Sequence, residues 1–421
     1  MFPPPGYTPT QSTIEGIQVY QPAAQSEKHQ PIVDFKCPQC GATTAYSVAD
    51  GGLTCTFCGY YEAPQSQTIG KRAEQFEFTV ETMQRAAQGW GAERSEITCQ
   101  RCGAATTLPT DALTHTCPFC GSNKVIQRAA PQDDLRPRFL IPFGVTPEQC
   151  AKIAREWLGS SWMTPAELQQ TARLGEFRPV YIPYWTFDST CRAQWQAEVG
   201  HEKTERYYSN GEWKTRTVIE WRREGGKLSK TFDDLLIPAT EKLSQRLLLG
   251  IQPYQTEALV PYEAKYLAGM RAKGYDIPLE KGWENARATM RERTRQACIS
   301  QASTSRVRNF QMSLDFAEES WRYILVPLYI AAYDYQSQTY RVMVNGQSGS
   351  IAGQRPADWT KVWFVILLTL APGALLGLLG LLTLPFAGIG IFIGGLGFFL
   401  LIIGLILGFY LYNQAEKLDK A

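Results

Sequence analysis

Fifty-four consecutive residues near the C-terminus, 362–415, contain no Asp, Glu, Lys, Arg or His. Crossing a bilayer takes about 20 apolar residues, so this stretch holds two helices and a turn. A helix on a soluble protein needs a polar face, and none can be drawn here, which disfavours a buried core hairpin. The spans are placed at residues 362–382 and 386–411, broken at Thr383-Leu384-Pro385 by the proline. Pro372 is expected to kink the first span, its freed carbonyl satisfied by neighbours. Small residues recur four apart at Gly373/Gly377, Gly390/Gly394 and Gly404/Gly408, a spacing that lets helix backbones approach closely. Trp359, Trp363, Tyr410 and Tyr412 gather at one end as an aromatic belt would. Arg341, Arg355 and Lys361 precede the hairpin, Lys417 and Lys420 follow it, and the turn carries no charge. The positive-inside rule then predicts an inner-membrane protein with two spans, both termini cytoplasmic, and a cytoplasmic tail at 412–421.

The rest of the 421-residue chain is long enough for several domains. Its start has no basic segment followed by an apolar one, so no secretory signal is expected and the body should lie in a reducing compartment. There are eleven cysteines and three histidines (His29, His115, His201), which disfavours a His-rich catalytic metal site. In a reducing compartment cysteines serve as metal ligands more readily than as disulfides.

Their spacing agrees. Cys37-x2-Cys40 and Cys55-x2-Cys58 recur as Cys99-x2-Cys102 and Cys117-x2-Cys120, every position offset by 62. Neighbours recur too: Cys40-Gly41-Ala42 with Cys102-Gly103-Ala104, and Thr54 to Gly59 with Thr116 to Gly121. Two intervening residues let a tight turn aim both thiolates at one metal, and the glycine after the second cysteine permits the backbone reversal. Two such knuckles complete a tetrahedral four-thiolate zinc site. Four protein ligands leave no open position, so each site should be structural, supplying folding energy that so small a ribbon cannot draw from a core. The expectation is two zinc ribbons, residues 31–65 and 95–128, with two Zn2+ ions. The metal ligands would be Cys37, Cys40, Cys55, Cys58, Cys99, Cys102, Cys117 and Cys120, paired within each repeat. Redox pairs and iron–sulfur ligation are weaker readings of the same cysteines.

Zinc ribbons also bind nucleic acid. Residues 31–128 carry eight basic and nine acidic side chains and no basic stripe interleaved with aromatics, which favours a protein-binding platform over phosphate-driven binding. Between the ribbons, residues 66–94 are read as a spacer with a helix at 75–89. Residues 1–30 are rich in proline at the start and expected to be disordered.

Residues 135–355 read as an α+β domain with an antiparallel sheet. Helices are expected at 147–158 and 164–174, each after a threonine N-cap (Thr146, Thr164) and a first-turn proline. Further helices are expected at 241–249, 262–271 and 279–300. Strands are expected at 180–199, 218–221, 305–316 and 339–344, with hairpins at Asn210-Gly211 and Asn345-Gly346. The string from Arg178 to Trp185 is echoed from Trp321 to Ile330, so the sheet is expected to be pseudo-symmetric, with the interrupting prolines at edges or bulges. No nucleotide-binding loop or Ser/His/Asp signature is present. Asp233 and Asp234 are adjacent, would point to opposite faces of a strand, and are read as a turn. His201 is read as solvated, and Cys150, Cys191 and Cys298 as packed apolar residues. Between residues 280 and 308, seven basic and three acidic side chains make a basic helix, read as a solvated face that anionic lipid or an acidic partner can also meet.

The two ribbons, the strings Leu140-Ile141-Pro142-Phe143, Tyr181 to Asp188, Val260 to Gly269 and Val344 to Gly349, and the terminal hairpin together resemble the bacterial membrane-anchored, transcription factor IIB-type zinc-ribbon proteins. Related sequences carry the label primosomal protein N-prime or replication factor Y helicase. That label does not suit a chain without a nucleotide-binding loop. The resemblance covers residues from about 31 on and maps the eight cysteines as ligands, with no catalytic residue. It implies a scaffold beside phage-shock A-like and SPFH-domain proteins in a membrane-stress system. The expectation is therefore a multidomain, non-enzymatic adaptor: two small β zinc ribbons, an α+β domain, and a C-terminal two-helix transmembrane hairpin at the lipid bilayer. The rivals are a membrane-tethered nucleic-acid binder and an enzyme whose site hides in the middle domain.

Overall fold

The computed structural model describes residues 7–10, 19–22, 36–64, 68–70, 76–77, 95–99, 105–108, 125–129, 135, 137–209, 211–268, 270–336, 338–383 and 389–419. The body is built on three very long strands. We label the first ribbon's strands β1 (Ala45–Ser47), β2 (Gly52–Thr54) and β3 (Tyr61–Glu62), and those of the body β4 (Arg178–Ser209), β5 (Glu212–Pro238), β6 (Val307–Tyr335), β7 (Gln338–Asn345) and β8 (Ile351–Gly353). Helices are α1 (Pro147–Leu158), α2 (Gln245–Gly250), α3 (Leu279–Ile299), α4 (Trp359–Leu382) and α5 (Ile389–Asp419). Strand order in the body is β5-β4-β6-β7-β8, antiparallel throughout. Shorter strands add to it, Phe139–Leu140 running parallel to β6 and Arg271–Ala272 parallel to β4.

The two echoed strings lie side by side. Arg178 pairs with Ile330, Val180 with Leu328 and Tyr184 with Ile324, so each half of the echo buries the other. Strands expected as separate pieces merge: 180–199 becomes part of the 32-residue β4, and 305–316 joins the second string in the 29-residue β6. Pro183 and Pro327 stand at local edges. Pro183 accepts from the Ala239 N–H just past the end of β5, and Pro327 from the Gly346 N–H just past β7. Neither position asks for the N–H that proline lacks.

Side chains of β4 then sort by alternation. Cys191, Ala193, Trp195 and Ala197 are buried and Arg192, Gln194 and Gln196 exposed. The buried set meets α3, whose Trp283, Ala286, Met290, Thr294 and Cys298 fall on one stripe. Trp185 is fully buried there, its indole N–H donating to the Ile277 carbonyl at 3.0 Å. Two further apolar clusters cover the two faces of the sheet near its other end, one with α1 and one with α2.

Local chemistry sets α1 as expected: Thr146 caps it, Gln149 closes a capping box, and Pro147 opens the first turn. Elsewhere the helix signals mislead. Of 164–174, only Leu168–Thr171 is helical, and Arg173–Leu174 is a strand on β6. Thr164 does not cap; its hydroxyl donates to the Ser161 carbonyl at 2.7 Å. The expected helix at 262–271 is a single 3-10 turn, Ala264–Leu267, followed by a strand. Of the expected spacer helix, Phe76–Glu77 is a strand on β6, and the remainder lies outside the described residues. Within the N-terminal segment expected to be disordered, Tyr7–Thr10 pairs antiparallel with Val19–Pro22.

α4 and α5 are long and apolar enough to cross a membrane. They pack against each other glycine to glycine. Gly380 lies against Gly394 and Gly397 against Gly377, and a Cβ on Gly373 would fall 2.6 Å from the Leu401 nitrogen. Leu367, Leu375, Ile391, Phe398 and Ile406 point outward and exposed. At the body end, Trp359 and Trp363 meet the Tyr412 ring at 5.3 and 6.2 Å.

Candidate metal centre

Cys37 and Cys40 sit on one tight turn, Cys55 and Cys58 on another. In the first, the Gly41 N–H donates to the Cys37 carbonyl at 2.8 Å and the Cys37 N–H to the Ala42 carbonyl at 2.7 Å. In the second, the Gly59 N–H donates to the Cys55 carbonyl and the Cys55 N–H to the Tyr60 carbonyl, both at 2.9 Å. Gly41 and Gly59 have φ of 73° and 74°, left-handed values that a side chain would resist. β1, β2 and β3 then hold the two turns face to face.

The result is one four-thiol cluster with all sulfurs within 4.8 Å of one another. Cys37 Sγ lies 3.3 Å from Cys58 Sγ, and Cys40 Sγ 3.5 Å from Cys55 Sγ. Four thiolates at the vertices of a zinc tetrahedron stand about 3.8 Å apart, given a Zn–S bond of about 2.3 Å. The cluster fits such an ion with a slight expansion, and its pairing lies within the first repeat. Cys37 and Cys55 are buried and Cys40 and Cys58 exposed, so the centre faces solvent on one side. The Cys58 backbone N–H, opposed by burial and aided by the Phe57 N–H, draws the Cys55 thiol down to about 7. Cys58 goes the other way, to about 12: the Tyr60 N–H pulls it down, but Cys37, burial, Cys40 and Cys55 outweigh it. Four thiols this close cannot all ionise without a cation between them.

This ribbon lies flat on the α+β body. The Tyr46 N–H donates to the Ala268 carbonyl at 3.0 Å, the Tyr46 and Tyr266 rings stand 5.3 Å apart, and Lys265 reaches Glu62 at 2.5 Å. Tyr46 and Leu53 are buried in the cluster that holds Met270 and Tyr329. Phe57, between the second pair of cysteines, is 81% exposed.

Of the second repeat, Cys99 ends a strand, Ser95–Cys99, that pairs with Ala105–Leu108 and Val125–Ala129. Cys102, Cys117 and Cys120 lie outside the described residues. One register is shared by both repeats: the bridge from Lys36 to Thr43 recurs as the pair Thr98 with Ala105, at the same offset of 62.

A second polar cluster was not legible from spacing. Asp188, Asp233 and Asp234 bring carboxylate oxygens within 4.8 Å of one another. Asp233 and Asp234 lie within β5 and not in the expected turn; Asp234 has φ of 55°, so the strand bulges and both adjacent carboxylates turn toward Asp188. The ladders of β4 with β5 and with β6 both slip at Asp188. Arg322, 1% exposed, ion-pairs with Asp234 and lies 3.6 Å from Asp188. The Ser320 hydroxyl donates to Asp188 Oδ2 at 3.1 Å, and the Asp234 N–H donates to the other oxygen, Oδ1. Burial raises the Asp188 carboxyl, the Asp234 N–H and Arg322 lower it, Asp234 raises it, and the balance is upward. A built-in guanidinium makes this a structural ion cluster. His201 is not simply solvated: its Nε2 lies 2.9 Å from Glu224 and 3.3 Å from the Ser303 hydroxyl. Cys150, Cys191 and Cys298 are buried as expected.

Fold and centre together define a class of protein: a long-stranded α+β body carrying a docked four-cysteine cluster and ending in two helices able to cross a membrane. No protein-family profile matches the chain, and no solved structure does. It is similar to an uncharacterized protein, YdjG, of Bacillus subtilis (strain 168), with 25% identity over 344 residues covering 79% of this chain and 93% of that protein.

Proposed function

We propose that this protein is a non-enzymatic adaptor of the inner membrane, held by its terminal hairpin with both ends cytoplasmic, that gathers partner proteins on the cytoplasmic face. The observation that carries the reading is how the apolar hairpin is joined to the body. The Asp358 N–H donates to the Met163 carbonyl at 2.7 Å, the Arg355 N–H to Leu418 at 3.0 Å, Lys361 Nζ to Thr164 at 3.1 Å, and Arg246 to Lys417 at 2.8 Å. Met163 packs with Val362, Ile366 and Ala415. A body fixed to its anchor in this way presents one orientation to whatever it binds, and tethering raises a partner's effective concentration without catalysis. Each ribbon holds one Zn2+, bound by Cys37, Cys40, Cys55 and Cys58 and by Cys99, Cys102, Cys117 and Cys120, in a structural role. Phage-shock A-like or SPFH-domain proteins are the partners that the sequence resemblance favours. Crosslinking and pull-down of the full chain from membranes tests this: a peripheral protein should be recovered and should leave the membrane fraction when the chain is deleted. Recovery of nucleic acid in its place, or of no such protein, overturns the adaptor reading.

A further inference from the structure

The loop that follows α1 is tied to the anchor on both sides. Arg355 Nη1 donates to the Trp157 carbonyl at 2.8 Å and to the Ser160 hydroxyl at 2.9 Å, and the Thr164 hydroxyl closes the loop on the Ser161 carbonyl. Asp358, the N-cap of α4, donates its N–H to the Met163 carbonyl. The Met163 side chain then runs along the first turns of α4 and packs with Val362 and Ile366. Ile366 lies about 10 Å along that helix from Trp359, at about 1.5 Å per residue. Between Val362 and Ile366, Trp363 and Phe364 turn outward, 52% and 67% exposed. The body therefore reaches the level at which the outer surface of the hairpin becomes apolar. Trp162, the neighbour of Met163, is 50% exposed at that place, a large ring that a tightly held loop leaves uncovered.

We propose that Trp162 seats in the headgroup layer of the bilayer that α4 and α5 cross, so that the body itself touches lipid at the end of α1. The hairpin puts the lipid surface there. Charge ends at Lys361 on α4 and returns at Glu416 on α5, so the edge of the hydrocarbon falls near Trp359, Trp363, Tyr410 and Tyr412, residues of the kind that favour that depth. Met163 packs between the two helices at this edge, with Val362 and Ile366 on α4 and Ala415 on α5. Lys361 Nζ stands 3.1 Å from the Thr164 carbonyl and 3.2 Å from Asp358, a cation at the height where lipid phosphates lie. An indole suits such a layer because its ring is apolar and its N–H polar. A protein occupant fits less well. Trp162 is flanked by Ser160, Ser161 and Thr164, and one ring falls far short of the roughly 800 Å2 per partner that a stable protein interface buries. The exposed apolar side chains at its level, Trp363 and Phe364, sit on a helix that faces lipid. The inference rests on the membrane part of the proposed function and not on its partner part.

The test uses the full chain in phosphatidylcholine vesicles whose acyl chains carry bromine near the headgroup, bromine deeper in the chain, or none. The Trp162 contribution to the fluorescence is the difference between wild type and Trp162→Phe, taken again with Trp162→Tyr so that the measurement does not depend on one variant folding. It should lose about half of its intensity to the shallow bromine and clearly less to the deep one, as a ring at headgroup depth does. The Trp363 contribution, taken in the same way with Trp363→Phe, reports the anchor. Quenching of Trp363 without quenching of Trp162 overturns the inference and leaves the anchor standing, whereas quenching of neither overturns the membrane reading beneath it as well. Stronger quenching of Trp162 by the deep bromine also overturns the headgroup placement. So does a Trp162 signal that follows protein density in the vesicles and not bromine, which would assign the loop to a second copy.

Discussion

Single residues carry much of what is specific here. Gly282 stands in the first turns of α3, where alanine would ordinarily add up to about 1 kcal/mol of helix stability. A Cβ there would meet Trp185 Cδ1 at 2.6 Å. Gly282→Ala should therefore destabilise the body by about 1–3 kcal/mol, read as a fall in the thermal unfolding midpoint; an unchanged or higher midpoint would contradict the packing. Asp188 gives a pH-dependent case. Its carboxyl is raised by burial, so the folded state binds its proton more tightly than the unfolded state does. Its contribution to stability therefore falls as pH rises from the ordinary carboxyl range through the raised value. Asp188→Asn removes that dependence, so the midpoint of the variant relative to wild type should climb with pH across the window. A difference that stays flat would show that Arg322 fully offsets burial. The Cys37, Cys40, Cys55 and Cys58 cluster was legible because knuckle chemistry is local: spacing and one glycine suffice. The Asp188, Asp233 and Asp234 cluster was not, because a bulge at Asp234 overrides the alternation on which strand reading depends, and no residue in the sequence announces it.

Elements were readable where their determinants lie within them. The Thr146-Pro147 start and Gln149 set α1, and the α3 stripe follows from helical periodicity. Both hairpins follow from Asn-Gly. Regions 164–174 and 262–271 read as whole helices and keep only one short turn each, because β6 claims Arg173–Leu174 and β4 claims Arg271–Ala272 as strand partners, and tertiary pairing outweighs propensities of a few tenths of a kcal/mol per residue. The hairpin was the plainest element of all, since absence of charge needs no partner to be seen. Its glycines show how close the two helices come: a Cβ on Gly380 would fall 2.4 Å from the Gly394 backbone, and one on Gly397 2.4 Å from the Gly377 nitrogen. Gly397→Leu should force α4 and α5 apart, lowering the unfolding midpoint of the detergent-solubilised chain by the equivalent of about 1–3 kcal/mol, whereas Gly395→Leu, with open space around its Cβ, should leave it nearly unchanged. Equal effects at the two sites would refute the close pairing.

At the scale of the whole molecule the arrangement is hierarchical. β4, β5 and β6 hold one another over most of their length, while the first ribbon holds to the body mainly through Tyr46, Leu53 and the Lys265–Glu62 pair. That docking could not be foreseen, because Ala268 and Tyr266 lie more than two hundred residues from the cysteines they support. The consequence concerns metal removal. A four-thiolate ribbon owes much of its folding free energy to its ion, whereas the long strands owe theirs to burial of Trp185, Trp321 and Tyr329. Chelation should therefore raise amide hydrogen exchange across residues 36–64 and, more weakly, across 262–270, where Tyr46 and Glu62 had been bound. Exchange in β4 and β6 between Tyr181 and Tyr329 should change little, as expected when stability is distributed among separable units. Loss of protection throughout the body on chelation would mean that ribbon and body fold as one unit, and protection retained in 36–64 would mean that the four cysteines hold no ion that matters to the fold.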